Sequence, residues 1–117
     1  TNFNKKFEFI TMGEVLEHVD KPYLLLKKIH DLIAETGEMF LSTCVDCPSI
    51  DHVYHFKSVK EIEDMITASG FKIIDNLVLT VEDIPMEEII KNKITINYCA
   101  LLQKKWNEIK NFIYNLI

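Results

Sequence analysis

Two carboxylates and one imidazole lie close together near the start of the chain. Glu14, Glu17 and His18 are spaced i, i+3 and i+4, which places all three side chains on one face if the segment is helical. Such a set suits Mg²⁺, Mn²⁺ or Zn²⁺. A bound metal would lower the pKa of a coordinated hydroxyl, or the histidine could act as a general base. The alternative is that these residues only cap the helix or hold the following loop.

The cysteines offer a second possible chemistry. Cys44 and Cys47 form a C-x-x-C pair, and Cys99 is separate. A redox or zinc site would need a second pair, or a helix that begins at the first cysteine. Pro48 instead indicates a strand that runs into a loop, so we predict free thiols. An odd cysteine count is typical of a reducing compartment, which predicts a cytoplasmic protein.

Composition limits the classes of partner. The chain has 117 residues, is 48% hydrophobic and carries a net charge of −5, which indicates one small domain with a real core. The acidic balance argues against a nucleic-acid-binding surface. No apolar run approaches the roughly 18–20 residues that span a bilayer. Composition therefore predicts no membrane partner and disfavours nucleic acid.

Strands and helices alternate along the chain, which predicts an α/β fold with a mostly parallel sheet. The first strand, Phe7–Met12, is mostly apolar and is predicted to be covered on both faces; Gly13 is expected to provide the turn after it. The predicted strands are residues 7–12, 38–45, 71–81 and 94–103. The predicted helices run from Pro22 to a stop at Thr36-Gly37, from a capping box at Ser58–Glu61 to Gly70, and over residues 84–91. Residues 1–104 are expected to form the domain, and 105–117 a helix for packing or oligomerisation.

The motifs in this order resemble a known family. Phe7–Val19 reads FEFITMGEVLEHV, and Pro22 follows; Ala68–Phe71 reads ASGF. This arrangement, over residues 3–104, resembles the C-terminal half of class I, Rossmann-like S-adenosylmethionine-dependent methyltransferases. The resemblance implies the family's strands in the order 4-5-7-6, with the last strand antiparallel and flanking helices on the sheet.

One part of the family pattern is missing. The family binds its cofactor on a glycine-rich turn after its first strand, whereas this chain has three glycines and no G-x-G. The resemblance therefore implies a methyltransferase fragment that lacks the cofactor-binding half and is inactive alone. Its first strand would be an open edge, to be covered by the missing half or by a second copy. A homodimer through that edge or through the C-terminal helix is the corresponding prediction.

The resemblance also implies roles for individual residues. The E-x-x-E-H pattern is similar to one in the ubiquinone-biosynthesis O-methyltransferases, and to one in methyltransferases that modify the 3′-terminal ribose of small RNAs. Both groups place a divalent ion near the acceptor hydroxyl, and the second adds a downstream histidine, which His52 matches. The implied residues are Met12, Gly13 and Glu14 beside the cofactor, Glu14, Glu17, His18 and His52 around a metal, His18 and His52 in catalysis, and Asp51, Tyr54 and His55 in a substrate loop.

Three functions stay open at this point. The first is methyl transfer from S-adenosylmethionine, most simply to oxygen of a small molecule or a sugar. The second is a non-catalytic, truncated relative that serves as an interaction or dimerisation domain. The third is a fragment of an RNA 2′-O-methyltransferase, against which the acidic charge counts.

Overall fold

A computed structural model describes residues 5–80, 82–105, 113, 115 and 116. Most of the predicted helix over 105–117 lies outside the described residues, and so does the predicted strand end at Val81. The described strands and helices are β1 (Phe7–Gly13), α1 (Pro22–Leu32), β2 (Ile33–Val45), α2 (Val59–Ala68), β3 (Phe71–Thr80), α3 (Met86–Lys91) and β4 (Ile96–Lys104), with a 3₁₀ turn at Leu16–His18. None of the described helices is both long and apolar enough to cross a membrane.

The four strands form one sheet in the order β1-β2-β4-β3. β1 and β2 are parallel, and β4 is antiparallel to both of its neighbours. This arrangement confirms the α/β prediction. The predicted mostly parallel sheet is wrong, because only one of the three strand pairings is parallel and the sheet is mixed. If β1 is counted as the family's fourth strand, the order is the one that the resemblance implies, with β4 as the reversed last strand. Because β1 and β2 are parallel, with Gly13 opposite Ser42, their carboxyl ends meet at one edge of the sheet.

One face of the sheet, which we call the covered face, carries the hydrophobic core. Alternate residues of β2 and β4 point into it, as the two-residue period of a strand requires. Leu41, Tyr98 and Leu102 are fully buried there, and Leu26 of α1 and Ile62 of α2 belong to the same cluster. The two helices therefore pack on this face and fix the position of the strand ends that carry the candidate site.

The opposite face, which we call the open face, corrects one prediction. Phe9 and Leu77 are each 55% exposed, and Phe40 is 38% exposed. The apolar sequence of β1 predicted cover on both faces. The prediction fails because α1 and α2 both pack on the covered face, and no described element packs on the other. The open face is defined by Phe9, Phe40, Leu77 and Leu79.

The end of α1 is a second correction. The helix ends at Leu32, and Ile33 already has extended backbone and pairs with Phe7 of β1. Gly37 therefore does not stop the helix. A Cβ at Gly37 would lie 2.8 Å from Ile33 Cγ1 and 3.0 Å from the carbonyl oxygen of Phe7, so the glycine is needed for the close approach of β1 to β2.

The predicted boundaries of α2 are confirmed. The Ser58 hydroxyl accepts a hydrogen bond from the Glu61 backbone N–H at 3.1 Å, as an N-cap should. The Glu61 carboxylate accepts from the Lys57 N–H at 3.0 Å and so binds one residue earlier than in the standard capping box. Gly70 closes the helix with φ of 101°.

Candidate active site at the strand ends

The turn after β1 is built differently from the prediction. Leu16–His18 is a single 3₁₀ turn, and Glu14 precedes it with φ of 55°. The sharp change of direction therefore occurs at Glu14 and not at Gly13. Since no α-helix spans residues 14–18, the predicted helical face is wrong. Glu17 still lies near both of the other residues: its carboxylate is within 4.8 Å of that of Glu14 and 3.8 Å from His18 Nε2.

The loop after β2, residues 46–57, folds back over this turn. The backbone N–H groups of Val53 and Tyr54 both donate to the Glu17 carbonyl oxygen, at 2.8 and 3.1 Å. At the base of the loop, the Asp46 N–H donates to the Phe56 carbonyl oxygen at 3.0 Å. These bonds bring residues from two separate strand ends into one site.

Two histidines meet at this junction. His18 Nδ1 lies 2.8 Å from the Asp51 carbonyl oxygen, and His52 Nδ1 lies 2.5 Å from the Cys47 carbonyl oxygen. A carbonyl oxygen only accepts, so both Nδ1 atoms must donate, and each neutral ring keeps its lone pair on Nε2. The rings are edge to face with centroids 4.8 Å apart. The site therefore holds two imidazoles in defined tautomers.

Glu17 is a buried carboxylate with one unmatched oxygen. It is 1% exposed, and its Oε2 accepts a hydrogen bond from the Thr43 hydroxyl. Its Oε1 has no hydrogen-bond partner among the described residues and lies 3.8 Å from His18 Nε2. A buried charge without a partner is costly, so this oxygen is suited to a proton or a cation shared with His18.

The predicted metal ligands fall into two groups. Ligand atoms of Glu14, Glu17 and Cys44 lie within 4.8 Å of one another, and so do those of His18, Asp51 and His52. Glu14, Glu17, His18 and His52 thus do not form one group, although Glu17 and His18, 3.8 Å apart, link the two groups. The part of the predicted set that fits a cation is the pair of Glu17 and His18.

A third grouping was not predicted. Cys44, Cys47 and His52 have ligand atoms within 4.8 Å of one another, and all three cysteines are free. Burial, then the hydrogen bond with Cys47, raises the pKa of Cys44 to about 12, so the thiol is protonated near neutral pH. The signal in the sequence was a histidine five residues after the C-x-x-C pair.

The predicted substrate-loop residues are held mainly by their neighbours. The Ser49 hydroxyl donates to Asp51 Oδ1 at 2.7 Å, which lowers the pKa of Asp51. The Tyr54 hydroxyl donates to Glu61 Oε1 at 3.1 Å; burial, then Glu61, raises the pKa of Tyr54. His55 Nε2 lies 3.2 Å from the His52 carbonyl oxygen.

A cavity of about 640 Å³ adjoins the same loop and was missed by sequence reasoning. Its wall is mostly apolar and comes from the ends of β2, β3 and β4 and from α3. Three lysines and Asp46 also line it. Lys60 is paired with Asp64 at 2.7 Å, so Lys57 and Lys93 face one carboxylate, that of Asp46, in the wall. No sequence motif marks it, since its lining residues are far apart in the chain. They include Val45, Val59, Val78, Met86, Ile90 and Ile96.

The end of β1 is open to a ligand. Met12 is buried at 6% exposure, whereas Gly13 is exposed. A Cβ at Gly13 would meet only Ser42 Oγ, at an ordinary 3.6 Å. The missing side chain is therefore not required by packing, and it leaves the strand-end backbone accessible.

The sequence identifies the class of protein. Residues 1–76 match the family model described as a methyltransferase domain, and the chain belongs to that family. No curated protein sequence matches the chain.

Solved structures share the fold at low identity. An O-methyltransferase of a trans-AT polyketide synthase multienzyme from Brevibacillus brevis, in complex with S-adenosyl-L-homocysteine, is 12% identical with a TM-score of 0.67, over 89% of this chain and 46% of its own. An S-adenosylmethionine-dependent methyltransferase from Clostridium acetobutylicum is 11% identical with a TM-score of 0.62, over 91% of this chain and 61% of its own. The [4+2]-cyclase SpnF is 10% identical with a TM-score of 0.66, over 88% of this chain and 51% of its own. The chain thus spans about half the length of these structures, and the cyclase illustrates that this fold does not fix the reaction.

Proposed function

We propose that this chain is the acceptor-side half of an S-adenosylmethionine-dependent methyltransferase that acts on a hydroxyl group of a small molecule. The observation that carries the proposal is the paired imidazoles at the strand ends of a methyltransferase-family domain. His18 and His52 each have Nδ1 held by a backbone carbonyl, so Nε2 is free to accept a proton. When bound, S-adenosylmethionine supplies a sulfonium methyl group, and the S–C bond breaks as the new O–C bond forms.

His18 is the proposed general base. Its side chain is 37% exposed, so an acceptor can reach it, and its Nε2 would take the hydroxyl proton. Glu17 Oε1, 3.8 Å away, would stabilise the imidazolium that results. His52 contacts the His18 ring edge to face and is proposed as a positioning residue.

Met12, Gly13 and Glu14 are proposed to line the methyl-donor side, since the strand-end backbone is accessible at Gly13. Three glycines with no G-x-G support the proposal that the main cradle for the donor comes from outside these residues. The divalent ion that the family resemblance implies stays a prediction, limited to Glu17 and His18. It would lower the pKa of the acceptor hydroxyl, and the role of His18 does not depend on it.

The cavity favours one class of acceptor. An apolar wall suits a hydrocarbon or aromatic body better than a sugar, and Lys57 and Lys93 suit an anionic group. We propose an apolar acceptor that carries a carboxylate or phosphate, and that contacts the loop of Asp51, Tyr54 and His55 from one side.

The test of the base is a His18→Ala variant of the natural protein at its natural length. The expected result is a fall in kcat of about 10²–10⁴-fold, loss of the acid limb of the pH–rate profile, and unchanged affinity for S-adenosylhomocysteine. Lys72→Ala, exposed on β3, is the matched surface control. Full activity of His18→Ala would show that His18 is not the base.

The test of the half-site is isothermal titration of the 117-residue chain with S-adenosylmethionine. We expect no binding at micromolar concentrations and no methyl transfer. Micromolar binding by this chain alone would contradict the proposal that the donor's main cradle lies elsewhere.

The open face favours a second candidate, a non-catalytic interaction domain. Its exposed Phe9, Phe40 and Leu77 form the kind of apolar surface that marks protein contacts. Methyl transfer by the natural protein that is lost in His18→Ala would exclude this candidate.

A further inference from the structure

We propose that Cys44, Cys47 and His52 form a binding site for a zinc-type transition metal, distinct from the predicted ion at Glu17 and His18. The site shares His52 with the proposed function, in which that residue only positions His18. The argument begins with their position. Cys44, the last but one residue of β2, is buried at 5% exposure, and Asp46, with φ of 51°, reverses the chain before Cys47. His52 then returns from the loop, so that the three ligand atoms lie within 4.8 Å of one another.

In this proposal the metal binds Nε2 of His52. His52 Nδ1 is held 2.5 Å from the Cys47 carbonyl oxygen, so Nε2 carries the lone pair. A metal-binding histidine commonly donates its other ring N–H to a carbonyl or carboxylate in this way. The same hydrogen bond holds His52 against the backbone of Cys47, which is another of the proposed metal ligands.

The donor set points to the kind of ion. Two cysteine sulfurs, which would release their protons as the metal binds, and one imidazole suit Zn²⁺ and related borderline or soft ions, and disfavour Mg²⁺ and Ca²⁺. In a tetrahedral zinc complex such donors are roughly 3.5–3.8 Å apart, so donors within 4.8 Å of one another would need to close by about 1.3 Å at most. Three protein ligands leave a fourth position for water or another ligand.

The surroundings are also suited to a cation. A carboxylate oxygen of Glu17 lies within 4.8 Å of Cys44 Sγ, and Glu17 Oε1 is buried without a hydrogen-bond partner among the described residues. A nearby positive charge would offset the cost of that buried carboxylate. A redox role is disfavoured, because Cys44 is followed by a loop with Pro48 and not by the helix N-terminus that activates C-x-x-C thiols.

Binding at this site would fasten the loop of residues 46–57 to the end of β2. That loop carries His52 and Tyr54 and covers the turn of Glu17 through backbone hydrogen bonds. The metal would therefore order the proposed acceptor loop without taking part in the reaction. The inference does not rest on methyl transfer, and it can hold or fail independently of the proposed function.

The test is titration of the reduced, chelator-treated chain with Co²⁺, which reports thiolate ligands by a charge-transfer band in the near ultraviolet. We expect one Co²⁺ per chain, displacement of the colour by Zn²⁺, and protection of Cys47, the more exposed of the two cysteines, from a thiol reagent. Cys44→Ser and Cys47→Ser should each weaken binding by at least about 100-fold, and His52→Asn by at least about 10-fold.

Cys99→Ser is the matched control, because Cys99 pairs with Ser42 and Leu77 in the sheet and is outside the cluster; it should bind Co²⁺ as the parent chain does. Circular dichroism would establish that each variant is folded. Cys47→Ser is the variant least expected to disturb folding, because Cys47 lies in the loop. Undiminished colour in Cys47→Ser, equal loss in Cys99→Ser, or no Co²⁺ binding by the fully reduced chain would each overturn the inference.

Discussion

The two faces of the sheet have similar apolar sequences but different environments. On the covered face, Leu41 and Tyr98 are fully buried under α1 and α2. On the open face, the neighbouring Phe40 and the edge residue Phe9 remain exposed. Burial of one large apolar side chain contributes about 1.5–3 kcal/mol, so the open face leaves stabilisation unused. An apolar strand sequence therefore indicates only that a face of the sheet can be buried. Which face is buried depends on where the helices pack.

The largest expected effect is on the covered face. Leu41→Ala removes a fully buried side chain from a central strand and should lower the free energy of unfolding by about 2–5 kcal/mol. Leu77→Ala, the same substitution at a residue 55% exposed on the open face, should lower it by about 1 kcal/mol or less. Urea unfolding of both variants checks the difference, and equal losses would mean that the open face is covered in solution.

The junction between α2 and the covered face should be the next most sensitive position. Gly70 has φ of 101°, and a Cβ there would lie 2.8 Å from His30 Nε2. Gly70→Ala should therefore lower the free energy of unfolding by about 1–2 kcal/mol. Gly13→Ala is the control, since its Cβ would make only an ordinary contact at 3.6 Å. Thermal unfolding would contradict this account if both variants lost the same stability.

The covered face should also respond to pH through His30. Burial, then the nearby Lys104, lowers the pKa of His30 below 6.5, and its ring packs edge to face on Phe71 at 5.2 Å. Because the unfolded chain takes up this proton first, the contribution is present above pH 6.5 and is lost as the pH falls below it. Tm should drop between pH 7.5 and 5.5, and the drop should shrink in His30→Gln. An equal drop in Tm for His30→Gln and the parent chain would mean that other titratable groups cause the pH dependence.

The smallest expected effect on stability is on the open face. Phe9→Thr and Leu79→Thr replace exposed apolar groups with a good strand former and should each change the free energy of unfolding by about 0.5 kcal/mol or less. If copies of the chain associate through this face or its β1 edge, sedimentation velocity should show weaker association for both variants. Unchanged association would point instead to residues 105–117, the other dimer surface predicted from the sequence.

The candidate site was only partly predictable from sequence. Glu17, His18 and His52 were chosen by residue type and family resemblance, and the structure places the two histidines in contact. The predicted helical face failed because Glu14 adopts φ of 55°, which a spacing argument does not anticipate. The cavity and the grouping of Cys47 with His52 depend on how the loop folds back, which is fixed by contacts between segments distant in the sequence.

The sequence by itself determined the alternation of strands and helices, the capping of α2 at Ser58 and the family resemblance. Those features depend on local backbone preferences and on the order of residues, which the chain carries wherever it folds. Only the tertiary structure decided which face of the sheet is buried, where α1 gives way to β2 at Ile33, and which donor atoms meet at the strand ends. Those outcomes depend on long-range packing and on backbone hydrogen bonds such as those received by the Glu17 carbonyl, and no short-range pattern encodes them.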